Sequence, residues 1–338
     1  PDLILVGSSM TYWYPGAWLA VETARRVWPD VPIVLGGTYA ALCQDHAQGA
    51  GADLVVSGRA EDRLPDALDH LFGSDHPRPV DPGPDGLTQS YWPDLDHYSR
   101  IASAPLMTSR GCPHHCPYCA SNRLHPVFCQ RPVDDLLAEI EDRRFRLGVR
   151  EFAFFDDALL VDSERRFLPL LETVVRRQWD VRFHAPNGLH VAAISAQTAR
   201  LMKAAGFQTV RLGLESLDPE RQKAIGDKAA GRFGRAVANL KKAGFSREQI
   251  GVYILFGLPG QPLEEVLGTA DQVKALGARP YAAEYSPLPH TRLWPEAVAA
   301  SPFDLAAEPL YHNNTFFPCR PPGFSYQRLW AVKRRVLG

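Results

Sequence analysis

Gly111-Cys112-Pro113-His114-His115-Cys116-Pro117-Tyr118-Cys119 puts three cysteines at C-x₃-C-x₂-C spacing within nine residues. Three thiolates can hold three corners of an iron–sulfur cube and leave the fourth iron open for chemistry. A purely electron-transferring [4Fe–4S] site normally uses four cysteines, and a structural zinc site closes its tetrahedron with four protein ligands, so three cysteines point to an open metal position. His114 and His115 leave a Cys₃His zinc site as the alternative. The surrounding chain offers no second C-x₂-C or H-x₃-H pair to build a finger or ribbon. Cys43, Cys129 and Cys319 are scattered, as buried small hydrophobes are, and six cysteines so distributed in 338 residues do not make a disulfide framework. A reducing, cytoplasmic protein is expected.

Outward from the cysteine run, strands and helices alternate from Pro105 onward. Leu106–Thr108 leads into the run, and strands are expected near Glu151–Phe155, Val181–His184, Thr209–Leu214, Gly251–Phe256 and Pro280–Tyr285, six in all. Between them lie amphipathic stretches at Pro132–Leu147, Glu164–Gln178, Ala196–Ala205, Arg232–Ala243 and Pro262–Leu276. Six such units predict an α/β fold, a partial (β/α)₆ TIM-like barrel with ligands at the carboxyl ends of its strands. The segment 105–291, in its order and spacing and in the aromatic Tyr118 before the last cysteine, resembles the radical S-adenosylmethionine (radical SAM) superfamily.

The resemblance implies cluster ligands at Cys112, Cys116 and Cys119, with SAM chelating the open iron. It also implies SAM contacts at strand ends. Asp156 and Asp157 follow the first strand after the cysteine run, where a carboxylate would grip the SAM ammonium in a charge-assisted hydrogen bond. Glu215 and Ser216 in Gly213-Leu214-Glu215-Ser216 would meet its ribose, amino or carboxylate groups, with Tyr118 beside the cluster. Gly257 and Gly260 in Gly257-Leu258-Pro259-Gly260-Gln261 would let backbone approach the adenine or methionine portion. Asn187 is a further polar strand-end candidate. Glu284 and Tyr285 would face the substrate as catalytic candidates, against the plainer reading of Tyr285 as a core residue. Plainer readings stand beside the others too: helix capping for Asp156 or Asp157, and a salt bridge from Glu215 to Arg211 with Ser216 as a cap.

Residues 1–73 alternate in the same way, with apolar runs at Asp2–Ser8, Val31–Gly37 and Ala52–Gly58 and helical stretches at Ala17–Val27, Tyr39–Ala47 and Glu61–Phe72. Ser8-Ser9-Met10-Thr11, Gly36-Gly37 and Ser57-Gly58 resemble the loops of the Rossmann-like cobalamin-binding domain found upstream of many radical SAM cores. The resemblance implies that Ser8, Ser9, Thr11, Gly36, Gly37, Ser57 and Gly58 wrap the nucleotide tail of cobalamin; the plainer reading is that these glycines serve turns. No D-x-H-x-x-G motif supplies a cobalt ligand, since Asp45-His46-Ala47-Gln48-Gly49 has the wrong spacing, and His46 is expected on a helix surface. The chain begins at Pro1 inside an apolar strand, so this domain is expected to be truncated at its N-terminus. Residues 74–104, rich in proline, read as a linker whose tail Tyr91-Trp92-Pro93 pins it to one domain, and 292–338 as a C-terminal extension.

Composition narrows the partners. Thirty-seven basic against 38 acidic residues give a net charge of −1, without the footprint of a nucleic-acid binder. The longest apolar runs, such as Leu3–Val6 and Val252–Phe256, are far short of the roughly 20 residues of a membrane span. A small-molecule substrate is expected, and the resemblance implies a reducing partner such as flavodoxin or ferredoxin. It further implies reductive cleavage of SAM at a [4Fe–4S] cluster to a 5′-deoxyadenosyl radical, with cobalamin-associated C-methylation, cyclisation or rearrangement. Two rivals remain: a radical SAM enzyme without functional cobalamin binding, and a non-catalytic zinc-binding interaction protein.

Overall fold

The computed structural model describes residues 1–58, 60–73, 92–226, 231–321 and 323–338. Arg59 and most of the expected linker, residues 74–91 with Tyr91, lie outside the described residues.

In the first sheet, β1 (Ile4–Ser8), β2 (Ile33–Gly37) and β3 (Leu54–Val55) run parallel in that order. Helix α1 (Tyr14–Val27) carries Ala17, Val21 and Ala24 at helical spacing and buries them against Ile33 and Leu35. The single helix expected over Tyr39–Ala47 is instead two, α2 (Thr38–Leu42) and α3 (Gln44–Gln48), divided at Cys43 where φ is −131°. The break brings Tyr39 Oη to 2.5 Å from His46 Nδ1, while Trp18 Nε1 donates to the same hydroxyl at 3.0 Å. His46 is therefore not a helix-surface residue: its ring packs half-buried on Tyr14 and Trp18, and burial lowers its pKa. Helix α4 (Ala60–Phe72) closes this part.

The second sheet has six strands in the order β11-β10-β9-β8-β7-β4, every neighbouring pair parallel. They are β4 (Ala104–Leu106), β7 (Glu151–Phe154), β8 (Arg182–His190), β9 (Phe207–Glu215), β10 (Ile250–Phe256) and β11 (Arg279–Glu284). Between β4 and β7 a short antiparallel ribbon of β5 (Ser109–Arg110) and β6 (Cys129–Gln130) closes the base of the cysteine loop, which includes α5 (Ser121–Leu124). Helices α6 (Val133–Glu141), α7 (Phe167–Arg176), α8 (Ala196–Ala204), α9 (Pro219–Ile225), α10 (Phe233–Lys242) and α11 (Leu263–Ala275) follow the strands and give the expected half-open barrel. Phe152, Phe154, Phe183 and Phe207, all at or below 1% exposure, pack ring to ring in its core. Burying each such ring is worth about 1.5–3 kcal/mol.

Past the barrel come α12 (Trp294–Ala300) and α13 (Tyr326–Leu337). Helix α13 buries Leu329, Val332 and Val336 in the barrel core, and its Lys333 pairs with Glu284 on the edge strand β11. At the other edge the linker's tail is pinned as its aromatic character suggested, with Trp92 Nε1 donating to Asp135 of α6 at 3.1 Å and Arg143 donating to the Pro93 carbonyl.

Candidate active site

A cavity of about 700 Å³ opens where β7 to β11 end, and the three thiols of Cys112, Cys116 and Cys119 line it. Among the described residues no three or more His, Cys, Asp or Glu side chains converge as they would around a single metal ion. Burial raises the Cys112 pKa, and the neighbouring thiols and Asp157 add to the rise. A donor set of three potential thiolates beside carboxylates is anionic, and a bound cationic centre offsets that charge. These residues fit an iron–sulfur cluster held by three cysteines.

Asp157, Asn187, Glu215 and Tyr118 line the same cavity, so the fold gathers candidates from four separate segments. Gly213 and Glu215 align with consecutive residues Tyr253 and Ile254 of β10, which leaves Leu214 as the extra residue of a bulge. The bulge re-aims Glu215 into the cavity at φ +70°, a left-handed conformation uncommon for a side chain of this size. Tyr118 Oη donates to Glu215 Oε1 at 2.9 Å, tying the cysteine loop to β9. Gly213 leaves room for this: a Cβ there would stand 3.3 Å from Glu215 Oε1. A second irregularity, between Ala185 and Leu189 of β8, pushes out Pro186, Asn187 and Gly188. Asn187 Nδ2 donates to the carbonyls of Phe155 and Asp156 at 3.1 and 3.0 Å, while Tyr253 Oη holds the Pro186 carbonyl at 2.9 Å.

Other expected site residues are occupied within the chain. Asp156 borders the cavity but is 3% exposed, and its Oδ1 accepts from Thr108 and Ser109 through both backbone N–H groups and both hydroxyls at 2.6–3.0 Å. Burial raises its pKa and these donors oppose the rise. It anchors β7 to the entry of the cysteine loop, which leaves Asp157 as the exposed carboxylate of the pair. Ser216 is buried and donates to Glu265 Oε1 at 2.8 Å. Gly257 and Gly260 do not line the cavity. Gly257 turns at φ +87° against Phe317, whose ring a Cβ would meet at 2.7 Å, and Gln261 Oε1 accepts from its N–H. Glu284 pairs with Lys333, and Tyr285 lies 3% exposed among Leu255, Leu258 and Ala297, so neither faces the cavity as a catalytic group. Sequence reasoning missed His190 and Tyr253, both on the cavity, and passed over His114 except as a zinc ligand. The polar residues at the end of β8, Asn187 and His190, were the available signal for His190.

A second cavity, about 600 Å³, lies between the first sheet and the cysteine loop, lined by Val56, Ser57, Gly58 and Arg63 on one side and Arg123, Leu124 and Pro126 on the other. Of the seven residues expected at cobalamin, Ser57 and Gly58 line it. The rest do not: Ser8 Oγ donates to the Met10 carbonyl, and Thr11 Oγ1 lies 3.0 Å from His312 Nδ1. Gly37, at φ +89°, would place a Cβ 2.6 Å from the Ser8 carbonyl oxygen, so close passage of β1 rather than room for a ligand requires glycine there. Ser9 is exposed and Gly36 half-buried beside them.

A half-open parallel barrel with a three-cysteine loop at its carboxyl end defines a class of enzymes that hold a cluster with one open iron. Residues 106–273 match the Radical SAM superfamily, and the chain belongs to it. The superfamily's cofactors are a [4Fe–4S] cluster and SAM. An uncharacterized methyltransferase of Pyrococcus horikoshii is 24% identical over 88% of this chain and 70% of its own length. A second, from Synechocystis, is 26% identical over 56% of the chain and 36% of its own. Among solved structures, the radical SAM methyltransferase TsrM from Kitasatospora setae superposes with a TM-score of 0.73 at 18% identity, over 100% of this chain and 78% of TsrM. TsrM has been seen with tryptophan and a SAM analogue, and with cobalamin and a [4Fe–4S] cluster. Its likeness establishes the fold. No described helix is long and apolar enough to cross a membrane.

Proposed function

We propose that this chain is a cobalamin-associated radical SAM enzyme that transfers a methyl group to carbon of a small molecule. One observation carries the reading: three thiols from a C-x₃-C-x₂-C loop share a single cavity with Asp157, Asn187 and Glu215 at the carboxyl ends of parallel strands. The names of the methyltransferase relatives favour methyl transfer over cyclisation or rearrangement.

When bound, the cluster supplies the electron that cleaves SAM to methionine and a 5′-deoxyadenosyl radical, and cobalamin supplies a transferable methyl group. Cys112, Cys116 and Cys119 would hold three irons. Asp157, the exposed carboxylate whose charge acts on Cys112, takes the SAM ammonium, and Glu215, fixed by Tyr118, accepts from the ribose or amino group. Asn187 spends its amide N–H groups on backbone and keeps its Oδ1 for a ligand. The aliphatic residues around the cavity exclude water from the reacting carbon. An external one-electron donor such as flavodoxin or ferredoxin completes the cycle. Cobalamin would use the second cavity at Ser57 and Gly58, beside the cysteine loop.

The test is anaerobic reconstitution with iron and sulfide, then SAM and dithionite, with mass analysis for 5′-deoxyadenosine or S-adenosylhomocysteine. Colourless protein that retains zinc after reconstitution overturns the reading. A second reading, the same chemistry without cobalamin, draws on Ser8, Thr11 and Gly37 serving contacts within the chain. Uptake of hydroxocobalamin that Ser57→Trp blocks supports the first reading; no uptake supports the second.

A further inference from the structure

The lining of the cavity mixes two chemistries. The thiols, Asp157, Asn187 and Glu215 supply its polar groups. Leu159, Leu160 and Val161 after β7, Leu189 of β8, and Ala192 and Ala193 just past β8 make the rest aliphatic. His114 of the cysteine loop and His190 at the end of β8 line the same cavity, their rings stacked with centroids 4.7 Å apart and planes 20° from parallel. Both are anchored through their backbone. Asn122 Nδ2 donates to the His114 carbonyl at 2.8 Å, and the register-shifted end of β8 pairs His190 with Gly213.

We propose that the aliphatic lining and the stacked histidines form a substrate subsite for a planar aromatic or heteroaromatic group, with His190 as its specificity-determining residue. The inference rests on the radical SAM reading of the site and deepens it by naming the substrate class. Aliphatic walls leave sugar-like or multiply charged groups without hydrogen-bond partners, which disfavours them strongly. A flat ring sliding between the walls extends the imidazole stack, and such ring pairs bind beyond what burial alone gives. The polar tyrosines of the cavity do not compete for it, since Tyr253 donates to Pro186 and Tyr118 to Glu215. Placed there, the group shares one cavity with the residues proposed to hold SAM.

The experiment is anaerobic calorimetry on cluster-reconstituted protein with SAM bound, titrated with indole, quinoline, cyclohexanol and methyl glucoside. Indole and quinoline are expected to bind about tenfold or more tightly than cyclohexanol, and methyl glucoside not at all. His190→Leu should weaken indole at least about fivefold, while His190→Phe, which keeps a flat ring, should restore most of the affinity. Iron content and SAM affinity, measured on each variant, show that the site is intact. Equal binding of cyclohexanol and indole, no binding of either aromatic, indifference to His190→Leu, or failure of His190→Phe to restore binding each overturns the subsite. Loss of iron or of SAM cleavage in the unaltered protein would count instead against the reading of the whole site, so the two failures are distinguishable.

Discussion

At the scale of single residues, the proposed site rests on the three cysteines of the loop and the strained glutamate. Cys112→Ala, Cys116→Ala and Cys119→Ala are each expected to abolish stoichiometric iron, because two thiolates do not hold the cube. Cys319→Ala should keep it: that thiol is buried and does not line the cavity, and burial pushes its pKa up to about 12. Iron analysis and visible absorbance after reconstitution check both. Glu215→Ala should weaken SAM by about tenfold to a hundredfold, the loss of one charge-assisted hydrogen bond at about 1.5–3 kcal/mol, measured as a dissociation constant. Because Glu215 sits at φ +70°, Glu215→Gly should be more stable than Glu215→Ala by about 1 kcal/mol. Both lose the Tyr118 bond and only the alanine retains the backbone strain; equal denaturation midpoints would refute the role of strain.

Among the elements, strand ends that look alike do different work. The carboxyl end of β7 turns Asp156 inward to hold Thr108 and Ser109 at the base of the cysteine loop, while Asp157 faces the cavity. At the end of β2, Gly37 passes the backbone of Ser8 so closely that a methyl group has no room. Gly37→Ala should therefore cost about 1–3 kcal/mol, seen as a lower urea midpoint, with iron content after reconstitution unchanged. A variant as stable as the parent would show that the β1–β2 contact yields.

Over the whole molecule, the residues after the barrel bind the segment from β1 to α1 as well as the second sheet. Thr11 Oγ1 meets His312 Nδ1 at 3.0 Å, His312 Nε2 lies 2.8 Å from the Leu305 carbonyl, and Tyr14 Oη donates to Glu308 at 3.0 Å. Burial lowers the His312 pKa below its ordinary 6.5, opposed by the Leu305 carbonyl and Glu308 and assisted by His46. A histidine held neutral in the fold binds its proton more readily when unfolded. The stability tied to it is therefore present above pH 6.5 and is lost as pH falls from there through the lowered value. The urea midpoint should drop between about pH 7.5 and 5.5, and the drop should shrink in His312→Gln. An undiminished pH dependence in that variant would place the titration elsewhere, at His46 first.

How much of this was legible in the residues alone follows from the range of each signal. The cysteine spacing and the six strands with their helices are local patterns, read within a few residues of chain, whereas the roles expected of Asp157, Asn187 and Glu215 come from the resemblance and their strand-end places. Tyr285 reads in sequence as a catalytic candidate or, more plainly, a core residue, and its packing on Leu255, Leu258 and Ala297 decides for the core. Tertiary structure alone decided which strand-end groups reach the cavity, because that depends on shifted register in β8 and β9 and on partners distant in sequence. Lys333 claims Glu284, Phe317 backs Gly257, and Ser8 explains Gly37. His114 and His190 lie on one cavity only because the cysteine loop folds over the end of β8. Composition and spacing report what a residue can do, whereas contacts across hundreds of residues decide what it meets.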